Sequence, residues 1–220
     1  MVTPRHIALA TLALAACVPP AGLGPGPVTV PRKGAAASGG VGFGASAERE
    51  TFQVDGTLVM RPSRHFQIEG GLAYTLMRVD TDEGELIAHS GLPYVRPTLV
   101  IRGAQLGVAL SGLGAGGGGG GAFYGLFGVR AGYGRDNWSA YAEWLVHVSN
   151  LTAEVGIDSS SRQYRVGFDY EWELGDASRL GAAFELADID ESFEAQGHEF
   201  DERHIGAMIK LRVRGVFERF

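Results

Sequence analysis

A histidine and a serine two residues apart, in the string His147-Val148-Ser149-Asn150, have the spacing in this chain best suited to nucleophilic chemistry. On a strand, residues two apart point to the same side. The imidazole then lies within reach of the hydroxyl proton, and a carboxylate is needed to orient the ring. The same two side chains serve equally as polar groups lining an interior, and that is the reading preferred here. A second group is acidic: Asp188, Asp190, Glu191, Glu194, Glu199, Asp201 and Glu202 fall in one segment without Lys or Arg. Carboxylate oxygens suit a hard divalent cation, but the spacing is not that of an EF-hand loop, so a solvated acidic loop is expected and no metal. Six glycines, Gly116 to Gly121, have no Lys-Ser/Thr after them and read as a loop tip rather than a phosphate cradle. No cofactor is expected.

The largest group of chemically capable residues is a set of mixed charges: Glu69, Arg96, Arg130, Glu143, Arg165, Asp169, Glu171, Glu185, Lys210, Arg212 and Arg214. Each stands between apolar neighbours in a segment where every second residue is apolar, the period of a strand with two unlike faces. The pattern recurs ten times from residue 41 onward. Its clearest copies are Trp138, Ala140, Ala142, Trp144, Val146 and Val148; Tyr164, Val166, Phe168, Tyr170, Trp172 and Leu174; and Ile205, Ala207, Ile209, Leu211 and Val213. With 34 glycines, 10% aromatic and 20% charged residues, the composition fits many strands joined by turns. The formal net charge of −6 and the lack of a basic stripe point away from a nucleic-acid partner.

Two architectures share this alternation. In a soluble sandwich the apolar rows pack on one another and the charges face water; in a membrane barrel the apolar rows face lipid and the charges face a lumen. Two features favour the barrel. Aromatics stand at both ends of the rows (Phe66, Tyr133, Trp138, Trp172 and Phe217; Phe123 and Tyr164), as interfacial girdles require. Connections also alternate in length. Pro62-Ser63-Arg64, Arg102-Gly103-Ala104, Arg135-Asp136-Asn137 and Gly175-Asp176-Ala177-Ser178 are short, whereas Asp80 to Gly91, Gly114 to Gly121, Asn150 to Ser161 and Asp188 to Glu202 are long. Only the first hairpin, near Arg49-Glu50-Thr51, breaks the alternation. The expected fold is an all-β, antiparallel, up-and-down transmembrane barrel of ten strands, with eight as the alternative. In so narrow a lumen the mixed charges form a salt-bridge network that fills it, or, if a gap is left, a selective channel; the filled lumen is expected.

The N-terminal segment sets the compartment. Arg5 and His6 precede an apolar run, Ile7 to Ala16, too short to cross a bilayer. The run closes on Leu14-Ala15-Ala16-Cys17, which holds the sole cysteine of the chain. This string resembles the bacterial lipoprotein signal. The resemblance implies cleavage before Cys17, its acylation, and, with Val18 rather than Asp next in line, sorting to the outer membrane. The chain then divides into a signal peptide (1–16), a lipid-anchored Pro/Gly/Ala-rich tether (17–40) and a barrel (41–220). An even strand count puts both barrel ends in the periplasm, where the anchored cysteine must be. The final alternating segment ending in Phe220 resembles the signal read by the outer-membrane barrel-assembly machinery, although Glu218 and Arg219 interrupt its parity.

Architecture and terminal segments together resemble the small bacterial outer-membrane β-barrels. Within that group, the string His147-x-Ser149-Asn150 resembles the lipid A deacylase family. The resemblance implies His147 as base, Ser149 as nucleophile and Asn150 as an oxyanion contributor. The family's catalytic acid lies in the following strand. Here Ser161-Arg162 stands there, and Glu154 or Asp158 in the preceding loop is left for the role. The expected function is a lipid-anchored barrel with a structural or interaction role in the cell envelope, in contact with outer-membrane lipid and lipopolysaccharide. A lipid A hydrolase and a narrow porin are the alternatives.

Overall fold

The computed structural model describes residues 34–46, 49–81, 84–117, 120–135, 137–150, 158–195 and 198–217. They form ten strands: β1 (Gly34–Ser46), β2 (Arg49–Ser63), β3 (Phe66–Thr81), β4 (Gly84–Ile101), β5 (Ala104–Gly117), β6 (Gly120–Arg135), β7 (Trp138–Asn150), β8 (Asp158–Gly175), β9 (Ser178–Ala195) and β10 (His198–Phe217). Each pairs antiparallel with its neighbours in sequence. β1 closes the ring on β10, from Ala35 opposite Phe217 to Ala45 opposite Ala207. The sheet is therefore a closed up-and-down barrel without an edge, not a pair of facing sheets, and its strand number is ten rather than eight.

Alternation sorts the side chains between the two faces of this wall. Phe43, Leu58, Leu72, Leu106, Val166, Phe168, Ile209 and Leu211 are exposed on the outside, while Gln67, Glu69, Arg96, Arg165, Asp169 and Glu185 are buried inside. A water-soluble barrel would do the reverse. Exposing large aliphatic and aromatic side chains around the whole circumference is stable only against hydrocarbon, so the wall is that of a transmembrane barrel.

Two-residue turns at 64–65, 102–103 and 176–177, with the connection from Arg135 to Trp138, lie at one end of the barrel. In the second, Arg102 (φ 50°) and Gly103 (φ 92°) both adopt positive φ. That is the geometry of a tight hairpin turn, usually given to Asn-Gly, and it costs an L-residue such as Arg about 1 to 2 kcal/mol. Each turn is tied to the next hairpin by a backbone bond. The amides of Val100, Gly134, Glu171 and Val216 donate to the carbonyls of His65, Gly103, Asn137 and Ala177 at 2.7 to 2.9 Å, giving the rim a repeating brace.

Three boundaries differ from the sequence expectation. The first strand begins at Gly34, inside the segment read as tether. Its glycines and alanines carry no alternation signal, yet β2 and β10 hold its backbone on both sides. A side chain at Gly42 would meet Cγ of Lys210, its ladder partner on β10, at 3.0 Å, so glycine here leaves room for the long inward residues of the neighbouring strand. Three of the long connections are largely ladder: β3 and β4 pair up to Thr81 and Gly84, β5 and β6 to Gly117 and Gly120, β9 and β10 to Ala195 and His198. Beyond the bilayer neither face needs to be apolar, so periodicity ends while backbone pairing continues. At the first hairpin β1 runs to Ser46, paired with Arg49, so Arg49, Glu50 and Thr51 belong to β2 rather than to the connection. Cys17, with the segment through residue 33, and Glu218, Arg219 and Phe220 lie outside the described residues.

Candidate functional site in the barrel lumen

The inward side chains at mid-barrel come from eight strands and meet as one ionic assembly. Its centre is Glu143 of β7, whose side chain is fully buried. Arg130 of β6, directly opposite in the ladder, donates through Nε and Nη2 to both carboxylate oxygens at 3.2 and 3.1 Å. Arg96 of β4 reaches the same carboxylate at 3.4 Å, and Arg165 of β8 reaches it at 4.0 Å. Arg96 also donates to Glu69 of β3 at 3.0 Å. The Tyr94 hydroxyl completes that corner, donating to Glu69 at 3.1 Å beside Thr57 at 2.8 Å.

A second arm runs through β7, β9 and β10. The Tyr141 hydroxyl donates to Glu185, which also holds Lys210 at 3.6 Å. The Tyr141 ring lies under the Arg130 guanidinium, 4.1 Å from its centroid, and so links the two arms. Nearer the short turns, Arg212 joins Asp169 and Glu171, and Arg214 donates to Glu171 at 2.8 Å. Every residue of the mixed-charge set named from the sequence is thus inside the barrel and ion-paired.

Burial explains why they pair. Removing one charge from water costs several kcal/mol, and the cost is recovered only through close partners. The described buried charges are six acids (Asp55, Glu69, Glu143, Asp169, Glu171, Glu185) and six bases (Arg96, Arg130, Arg165, Lys210, Arg212, Arg214), a balance of zero. Above and below them the inward positions are aliphatic or neutral polar, the polar ones including Gln53, Thr75, Ser90 and Gln163 toward the long connections and Gln67, Thr98, Gln105 and Ser139 toward the short turns. Toward the long connections stand Leu92, Leu126, Leu145, Ile189 and Met208; toward the short turns stand Val59, Val100 and Val216, with Val59 and Val216 packed on Ala36. The described buried charges thus leave no surplus of either sign.

Sequence reasoning missed the aliphatic positions, because a polar/apolar alternation places them on the wrong face. It also missed Tyr94 and Tyr141. Each stands two residues from a charge that had been identified (Arg96, Glu143), and each faces a glycine across the ladder, Gly71 and Gly167 respectively. A side chain at Gly71 would lie 2.9 Å from the Tyr94 ring, and one at Gly167 would overlap the Tyr141 ring. An inward aromatic facing a cross-strand glycine is the signal that could have found both.

His147, Ser149 and Asn150 are the last residues of β7, and the ladder is irregular there. His147 pairs with Leu126, whereas Ser149 pairs with Gly125, a shift of one residue. The shift interrupts alternation between the two residues, so their spacing does not by itself assign them to one face. Of the candidate acids, Glu154 lies outside the described residues. Asp158 opens β8 opposite Glu194. The acidic segment Asp188 to Glu202 forms the ends of β9 and β10. Within it, Asp188 is held by Arg203 through bonds of 2.9 and 2.7 Å.

No family model matches the sequence, and no curated protein matches it significantly. Solved structures do resemble the fold. The β-domain of the Bordetella autotransporter BrkA is 13% identical, with 84% of this chain and all of that one covered at a TM-score of 0.45. The transport unit of the autotransporter AIDA-I from Escherichia coli is 12% identical, with both chains fully covered and a TM-score of 0.44. The outer membrane protease OmpT from Escherichia coli is 7% identical, with 87% and 99% covered and a TM-score of 0.42. The likeness is one of barrel architecture.

Proposed function

We propose that this chain is a closed, non-conducting β-barrel of the bacterial outer membrane with a structural or interaction role in the cell envelope. The observation that carries this reading is the lumen, where a charge-balanced layer of mutually paired acids and bases is buried at mid-barrel. A porin needs a continuous wetted path, and a carrier needs an unfilled cavity with groups left over for a ligand. The short-turn end, where both barrel ends lie, faces the periplasm in this reading. An acylated Cys17 then anchors the same protein to the inner leaflet, the assembly machinery takes up the C-terminal strand, and lipopolysaccharide surrounds the opposite half of the wall.

Reconstitution into planar bilayers tests the central claim. The purified barrel is expected to insert without unitary conductance. Ion-selective current steps from the unaltered protein would make it a narrow channel.

A further inference from the structure

The short-turn rim is unevenly charged. Three consecutive turns, β2–β3, β4–β5 and β6–β7, carry exposed arginines, Arg64, Arg102 and Arg135, none with a carboxylate partner among the described residues; Asp136, which follows Arg135 in the sequence, lies outside them. The fourth turn, β8–β9, carries exposed Asp176 beside Glu173, and the arginine there, Arg179, is paired with Glu171 and Glu173 at 3.9 and 3.4 Å. Neighbouring basic turns are two strands apart, about 10 Å along the rim, close to the spacing of packed lipid headgroups.

Two further observations separate this arc from an ordinary solvated surface. Each arginine stands at the end of an outward apolar row. Phe66 follows Arg64, Ile101 precedes Arg102, and Tyr133 lies beside Arg135, with its ring 5.8 Å from that of Trp138. This is the level of the wall where hydrocarbon gives way to headgroups. In addition, Arg102 occupies a positive-φ position that Gly or Asn would fill without penalty. A conformational cost retained at an exposed site points from strain to function.

We propose that Arg64, Arg102 and Arg135 form an anionic-phospholipid site on the β2–β7 side of the rim. In it, guanidinium groups hold headgroup phosphates while the adjoining apolar and aromatic residues hold the acyl chains. The charge and fork geometry of arginine fit phosphate oxygens, and a basic cluster at a membrane surface attracts anionic lipid. The proposal requires the barrel to be embedded in a bilayer, which is part of the function proposed above.

The three tryptophans supply the test. Trp138 is paired with Arg135 on the basic arc, Trp172 neighbours Glu173 on the acidic one, and Trp144 lies on the outward row between them and the far end. Single-tryptophan proteins, W144F/W172F and W138F/W144F, are reconstituted in mixed vesicles containing brominated phosphatidylglycerol or brominated phosphatidylcholine, and fluorescence quenching is measured. Trp138 should be quenched several-fold more effectively by the phosphatidylglycerol probe than by the phosphatidylcholine probe, and Trp172 equally by both. The preference at Trp138 should fall with added salt and disappear in R64Q/R102G/R135Q, in which glycine at 102 favours the turn, so the barrel still forms. Equal quenching at Trp138, or a preference that survives the triple variant, would overturn the proposal while leaving the embedded barrel intact. A W138F/W172F protein serves as the insertion control. If its Trp144 were unquenched by either lipid, the membrane reading and the rim site would fall together.

Discussion

Replacing Glu143 by alanine probes whether the lumen is filled or wet. The residue accepts three hydrogen-bond or ion-pair contacts at 3.1 to 3.4 Å from Arg130 and Arg96, and a longer one from Arg165. Its loss leaves Arg96 with Glu69 and Arg130 with the Tyr141 ring. It also changes the buried balance from six acids against six bases to five against six. In a dry interior, breaking a buried pair from one side costs about 3 to 5 kcal/mol, because a charge is left without compensation. In a water-filled lumen the same pair would be screened and worth about 0 to 1 kcal/mol. Reversible urea unfolding in phospholipid vesicles, followed by tryptophan emission, measures the difference. Should Glu143→Ala fail to fold, Glu143→Gln keeps the shape and removes only the charge. A double-mutant cycle with Arg130→Gln should then show a coupling of about 1 to 3 kcal/mol. A loss below about 1 kcal/mol in Glu143→Ala, or no coupling in the cycle, would refute the filled lumen and reopen the channel reading.

Ile209→Arg and Val166→Arg place a charge on the exposed outer face and are expected to cost about 2 to 4 kcal/mol near mid-bilayer, less near its edges, in the same unfolding assay. Gly167→Ala should lower stability by about 1 to 3 kcal/mol, since the added carbon displaces the Tyr141 ring; Tyr141→Phe should cost about 1 to 3 kcal/mol by taking the hydroxyl from buried Glu185. Mass spectrometry of the mature N-terminus is expected to find an acylated Cys17, and Cys17→Ser is expected to abolish that processing while the barrel still inserts. Lipid A from cells expressing the chain is expected to be unchanged; loss of an acyl chain that is restored by Ser149→Ala would establish the hydrolase.

The wall was legible because the bilayer imposes one requirement on every strand: the outer row must be apolar. A row such as Tyr164, Val166, Phe168, Tyr170 and Trp172 states that requirement without reference to any other strand. The lumen imposes no such uniform rule. An inward position holds Glu143, Tyr141, Leu145 or Gly128 according to what stands opposite, and those partners come from strands distant in sequence. Hence the charges were found by parity, while Tyr94, Tyr141 and the inward aliphatics were not. Strand ends were lost for a related reason. Past the bilayer the ladder between β9 and β10 continues to Ala195 and His198, held by backbone bonds that need no pattern of side chains. The first half of β1, residues 34–40, is the extreme case: Gly, Ala and Ser held in place by the strands on both sides.

A closed interior restricts where this barrel can act. With the lumen filled, chemistry or recognition has to use the wall, the short-turn rim or the far ends of the strands. The wall offers hydrocarbon contact along its ladders; among the described residues the register shifts near the short turns in β2–β3, between Met60 and Ser63, and in β8–β9, between Glu173 and Gly175, and toward the other end in β6–β7 at Val148, between His147 and Ser149. A shift of this kind re-aims side chains and is often found beside active sites, so the site with the best sequence spacing for hydrolysis coincides with a local break in the wall. At this level β6 supplies Gly125 and Leu126, and the described β7–β8 ladder ends with Val146 opposite Arg162. Arg162 pairs with Val146 rather than with His147 and stands in the exposed row of Tyr164 and Val166, so no acid described in this ladder is in register with the histidine. The lipid contact proposed for this chain rests on the rim arginines, which are exposed beside outward apolar residues, and the lipid A measurement decides the histidine and serine separately.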